Sequence, residues 1–202
     1  MGLWTRNLLP ILLLAVATAA AASAAPAGET IPPERLLLRP PVGWHMLAGP
    51  HEGNVSVTRI VPDGNNPATA SQIINIERYE GQSPSPKAFV ENIVAGNRRN
   101  CDGVRVSSID THSINNYPTA ALSFTCTRSR RTGRSGLMMI IAIRGQDALH
   151  VVECTWMGQA VQPNQPVPVP RSVIAQWNAF ARSVTLCDIR DPGDHPCPAT
   201  GG

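Results

Sequence analysis

The residues that could do chemistry are few, and their spacing tests the obvious reactions first. His51-Glu52 opens an H-E-x-x-H zinc motif, but position 55 is valine and the second histidine ligand is absent. Gly133-Arg134-Ser135-Gly136 has the outline of a serine-nucleophile turn, but leucine stands at 137 where G-x-S-x-G needs glycine. His195 and Cys197 are metal-ligand types with Asp191 and Asp194 nearby, and two soft ligands in a Pro/Gly-rich stretch fall short of a closed site. No Walker loop, dinucleotide fingerprint or C-x-x-C occurs, so no cofactor is expected. A hydrolase would have to assemble its site from distant residues such as Ser123, His150 and Glu153. Asn54-Val55-Ser56 is a glycosylation sequon, meaningful only in a eukaryotic secretory pathway.

Two constellations carry more weight. Arg128, Arg130, Arg131 and Arg134 fall within seven residues, and between Arg105 and Asp147 the only acid is Asp110. Clustered guanidinium groups bind phosphate, carboxylate or an anionic headgroup bidentately. No aromatic lies beside them to stack bases, which argues against single-stranded nucleic acid. The bland alternative is a solvated turn that discourages edge aggregation. The second constellation is the five cysteines, Cys101, Cys126, Cys154, Cys187 and Cys197, an odd number in a chain that carries export features.

Export is read from the N-terminus. Arg6 supplies a positive start, Leu8 to Ala22 is an apolar run, and Ala22-Ser23-Ala24 is an A-x-A cleavage site. The expected signal peptide is 1–24, with no membrane span after cleavage, since the run is shorter than the ~20 apolar residues a bilayer needs. The destination is periplasmic or secreted, an oxidising compartment in which cysteines pair. With 15% charged residues and a net charge of +3, the chain is neither a charged disordered tail nor a strongly basic nucleic-acid module. Lys87 is its only lysine.

The elements that must position these groups follow the signal. Residues 25–35 form a Pro-rich extended lead, 36–187 a single domain, and 188–202 a Pro/Gly-rich tail expected to be flexible. Alternation predicts strands at Val55–Val61 and Ser71–Tyr79, then a helix capped by Ser85 and Pro86 that ends at Gly96 or Asn97. Four strands follow at Val104–Asp110, Thr119–Thr127, Leu137–Arg144 and Leu149–Trp156, on links too short for parallel crossovers. Val173, Trp177, Phe180 and Val184 form the stripe of a second helix, with Ile174 and Ala181 alongside. An extra strand is expected around Leu36 or Trp44. Leu137–Ile143 is apolar on both alternating faces, which marks a central, doubly covered strand. The fold class is α+β: an antiparallel sheet of about six to seven strands with helices on both faces.

If Val104–Asp110 and Thr119–Thr127 pair about a turn near Asn115, Cys101 comes within one residue of facing Cys126, the first choice for a bridge. Cys187–Cys197 is the second choice and Cys154–Cys187 its rival. Cys154, in register with Val152 and Trp156, reads as a small buried hydrophobe.

The start Pro40-Pro41-Val42-Gly43-Trp44, the helix after the early strands, the four-strand run and the final Trp177/Phe180 helix resemble the PsbP-like superfamily over about residues 36–187. That group includes the extrinsic photosystem protein and exported bacterial proteins of the DcrB and LpqN kind. The resemblance implies an exported, non-enzymatic binding or assembly module, docking a protein or an anionic envelope component. It carries over no functional residue. The lipobox cysteine of lipoprotein relatives is absent here.

Overall fold

The computed structural model describes residues 32–81 and 84–198. The expected signal over 1–24, and residues 25–31 of the lead, lie outside the described residues. The described strands and helices run β1 (Glu34–Leu37), β2 (Trp44–Glu52), β3 (Val55–Pro62), β4 (Gln72–Glu80), α1 (Pro86–Asn100), β5 (Val104–Val106), β6 (Asp110–Ile114), β7 (Tyr117–Cys126), β8 (Ser135–Arg144), β9 (Ala148–Gly158), α2 (Arg171–Ala181) and β10 (Thr185–Asp188). Every pairing is antiparallel. One eight-stranded sheet has the order β2-β3-β4-β9-β8-β7-β5, with β6 also on β7, and β1 pairs β10 in a separate ribbon.

The sheet therefore exceeds the six to seven strands expected. Trp44 and Leu36 both lie in strands, and the stretch 104–110 is two strands rather than one. Between Val106↔Phe124 and Asp110↔Ala121 the pairing absorbs one extra residue. The interruption is closed by Ser107, whose N–H donates to the Ser123 carbonyl at 2.9 Å and whose Oγ accepts the Ser123 N–H at 3.0 Å. The Pro-Pro-Val-Gly-Trp start is a turn in which Gly43 takes φ +77° and the Trp44 N–H reaches the Pro41 carbonyl. That left-handed position is why glycine precedes the tryptophan.

Ser85 caps α1 by accepting the Ala88 N–H at 3.3 Å, and Pro86 takes the first turn. The helix does not stop at Gly96 or Asn97. The Asn97 side chain donates to the Ile93 carbonyl instead of turning the chain, and the helix runs on to Asn100. Its last turn consequently carries Arg98 and Arg99, cations placed favourably against the helix dipole.

Two apolar clusters share β8 between them. Ile140 and Ala142 pack with Phe89, Val90 and Val94 of α1. Ile141 and Ile143 point the other way along the strand and pack with Val173, Trp177 and Phe180 of α2. Trp177 is 1% exposed, whereas Ile174 is 42% exposed and does not join the stripe.

The C-terminal segment departs from the loose tail expected of 188–202. Asn115 and Asn116 form the β6–β7 turn at positive φ, and their side-chain amides donate to the carbonyls of Leu186, Pro196 and Asp194. His195 stacks on Tyr117 at 3.8 Å between centroids. These contacts hold the chain against the domain through Pro196; residues 199–202 lie outside the described ones. Among the described residues no helix is long and apolar enough to cross a membrane.

Candidate functional site

Ser123, His150 and Glu153 do not converge. His150 and Glu153 are three apart on β9 and so project to opposite faces: His150 faces Ile143 across β8, while Glu153 faces Ile140. Ser123 lies across from Met139, which in turn faces Cys154, four positions or about 13 Å along β9 from His150. Each group has a different task. His150 Nε2 lies 2.9 Å from Glu34 Oε1 in a fully buried pair. Burial pushes the Glu153 carboxyl up to about 7, aided by the nearby Glu77 charge and opposed by a hydrogen bond from Asn75.

The cysteines are joined Cys101–Cys126 and Cys187–Cys197, with Cα separations of 5.6 and 4.9 Å. Cys154 is a buried free thiol whose pKa is pushed up by burial and by Glu153, so it is not a ready nucleophile. Cys197, in a disulfide, is unavailable as the metal ligand its spacing to His195 suggested. The Cys101 bridge does not use the simple facing pair, because Cys126 is opposed by Val104 and Cys101 by Ser129. It crosses diagonally, at the corner where α1 ends and β5 begins.

That corner holds the arginines. Arg128, Arg130 and Arg131 are exposed and Arg134 is half-buried. Arg130 Nε donates to Asp102 at 3.2 Å, and its Nη1 reaches the Arg99 carbonyl at 3.4 Å. Arg134 Nη2 donates to the Met157 carbonyl at 2.9 Å. The hairpin tip is shaped by Gly133 at φ +69°, whose N–H donates to the Ser129 carbonyl. The Arg130 N–H donates to the Asn100 carbonyl, and the Asp102 N–H to the Arg128 carbonyl, stitching the helix end to the hairpin.

The sequence alone does not place Arg99 at this corner. The disulfide and the stitching bonds bring its carbonyl to Arg130 Nη1, while its guanidinium lies back along α1 beside Gly96, so the corner that carries the basic platform is a tertiary object assembled from α1 and the β7–β8 hairpin. The available sequence signal is the cysteine pair itself, since Cys101 follows Arg99 by two residues and Cys126 precedes Arg128 by two. A hollow of about 110 Å³ opens beside the platform, lined among others by Arg131, Arg134, Ser129 and Thr132.

A larger groove, about 620 Å³, runs between α2 and the β6–β8 face, floored by Ala121, Met139 and Ile141. Its rim mixes charges, with Arg182 on one side and Asp110, 3.3 Å from His112 Nδ1, on the other.

No protein-family model matches the chain, and no curated protein does. Solved structures are similar at low identity. LpqN of Mycobacterium tuberculosis, described as involved in cell envelope biogenesis, is 15% identical with TM-score 0.46, covering 76% of this chain and 83% of its own. The cyanobacterial PsbP of Synechocystis is 8% identical with TM-score 0.45, over 81% and 98%. A Pseudomonas aeruginosa protein of unknown function is 14% identical with TM-score 0.43, over 65% and 80%. At these scores the likenesses carry no functional argument, and the platform's geometry must supply one.

Proposed function

We propose that the chain is an exported, non-catalytic docking module of the bacterial envelope, and that it holds an anionic envelope component on the platform formed by Arg128, Arg130, Arg131 and Arg134. One observation carries the reading. A disulfide and two backbone hydrogen bonds hold the end of α1 against an arginine hairpin, and Asp102 is the one carboxylate ion-paired there among the described residues. Like charges gathered by covalent and main-chain ties repel one another, a local cost that a bound anion relieves. The disulfides also fit an oxidising compartment.

The attraction of such an exposed platform is Coulombic, and it weakens as the Debye length shrinks from ~10 Å at 0.1 M salt to ~3 Å at 1 M. Co-sedimentation with vesicles of phosphatidylcholine and phosphatidylglycerol at those two salt concentrations tests it. The wild type is expected to be retained at the lower salt and released at the higher. Replacing Arg128, Arg130 and Arg131 by Gln should abolish retention and leave the fold intact, since exposed substitutions stay within about 0.5 kcal/mol each. Undiminished retention of that variant at low salt would move the site elsewhere.

A further inference from the structure

Resting on the platform reading above, we propose that the hollow between Arg131 and Arg134 seats the phosphate of an anionic phospholipid headgroup. The two guanidinium groups differ in a way that suits capture. Arg134 is half-buried, and one of its donors is spent on the Met157 carbonyl at 2.9 Å, which fixes the direction of the rest. Arg131 is exposed on the same hollow and free to close over a ligand. One fork is pre-aimed and the other arrives with the ligand. A fixed first fork lowers the ordering cost of binding.

Size and chemistry narrow the ligand. The hollow is small, about 110 Å³, and two guanidinium groups line it, which suits a tetrahedral oxyanion and its first carbons. Ser129 and Thr132 add hydroxyls to the rim. The Ser129 oxygen accepts the Thr132 N–H, and the Thr132 oxygen accepts the Arg134 N–H, so both hydroxyl hydrogens stay available to donate. A planar carboxylate fills one guanidinium fork. The non-bridging oxygens of a phosphate accept from two forks and a hydroxyl together.

The remaining walls distinguish a lipid from free phosphate. Phe124, Met138 and Met157 line the hollow on its sheet side. Those apolar surfaces give inorganic phosphate nothing, whereas a phosphodiester brings glycerol carbons to cover them. Phe124 is only 4% exposed and offers no face on which a nucleic-acid base could stack. Arg128 and Arg130 are exposed on the same hairpin, outside the lining of the hollow.

The test compares two vesicle types of matched surface potential in a phosphatidylcholine background, one made anionic with phosphatidylglycerol and the other with oleate. The wild type is expected to bind the phosphate-bearing vesicles roughly tenfold more tightly, the worth of one charge-assisted hydrogen bond. Arg131→Lys keeps the charge and removes the fork, so it should bind both vesicle types about equally. Arg171→Lys, exposed at the start of α2 and outside the platform, should keep the preference. Salt-sensitive but equal wild-type binding to both vesicles would overturn the phosphate seat and leave the platform standing. An undiminished preference in Arg131→Lys would also overturn the seat. Wild-type protein that binds neither vesicle removes both proposals.

Discussion

Glu34→Gln should destabilise the domain severely at neutral pH and much less in acid. The Glu34 carboxylate is 2% exposed and reaches from β1 into the β8–β9 turn. There it accepts the N–H groups of Gln146 and Asp147 at 2.5 and 3.3 Å and faces His150 Nε2 at 2.9 Å. Burial pushes its pKa up, but the hydrogen bonds from His150 and the turn amides, with the attraction of His150, outweigh burial and hold it below 4.5. A carboxylate so depressed contributes stability above its unfolded-state value and loses it as pH falls through the lower folded value. Removing one partner of a buried pair costs about 3–5 kcal/mol, because the other partner is left uncompensated. At about 2–4 °C per kcal/mol for a domain of this size, the midpoint should drop by roughly 6–20 °C. Circular-dichroism melts from about pH 7 down to about pH 3 provide the assay. Asp188, held low by Arg190, also loses its contribution in acid, so the wild-type curve falls for two reasons. The gap between wild type and variant isolates Glu34, and it should close as pH falls. A gap that stays constant down to about pH 3, or no gap at neutral pH, would refute the reasoning. Gly145→Ala is a second probe, since a Cβ there would land on the Glu34 carboxylate.

Non-reducing peptide mapping should recover Cys101 joined to Cys126, and replacing both by Ser should cost about 2–4 kcal/mol for a loop of 25 residues. Trp177→Ala should cost about 3–5 kcal/mol by calorimetry, as expected for a side chain 1% exposed; an unchanged midpoint would place α2 off the sheet. Glu153→Gln should have the opposite sign. A carboxyl raised to about 7 destabilises the fold as it ionises, so the variant should melt higher than wild type above about pH 7, by on the order of 1–2 kcal/mol after allowance for partial exposure, and match it near pH 4.

What was legible in the sequence was whatever depends on neighbours along the chain. The Ser85-Pro86 start of α1 is a local signal, as is the two-faced apolar run of β8. The Trp177/Phe180 stripe is another, and all three stand in the structure. What was not legible depends on distant partners. Glu34 sits in a Pro-rich lead with no local mark, and its partners are 112 to 116 residues away. β10 and the docked C-terminal segment depend on the side chains of Asn115 and Asn116, more than 70 residues earlier. The division of 104–110 into two strands turns on one serine hydroxyl reaching across to Ser123, which alternation patterns do not record.

The disulfide shows how the two kinds of information meet in the site. Hairpin reasoning places Cys101 near Cys126, yet the two-residue turn at Asn115-Asn116 sets a register in which, even after the extra residue at 107–109, Val104 and not Cys101 faces Cys126. The bridge survives that register because it spans a corner instead of a ladder rung, and the corner is what gathers the charge. Had α1 ended at Gly96, Arg98 and Arg99 would have left the helix before the bridge and no main-chain tie would hold them beside Arg130. Continuation of the helix to Asn100 lets the Asn100 carbonyl accept the Arg130 N–H and brings the Arg99 carbonyl to Arg130 Nη1. The cap that the sequence suggests and the protein omits is therefore the step that ties the arginine hairpin to the end of α1.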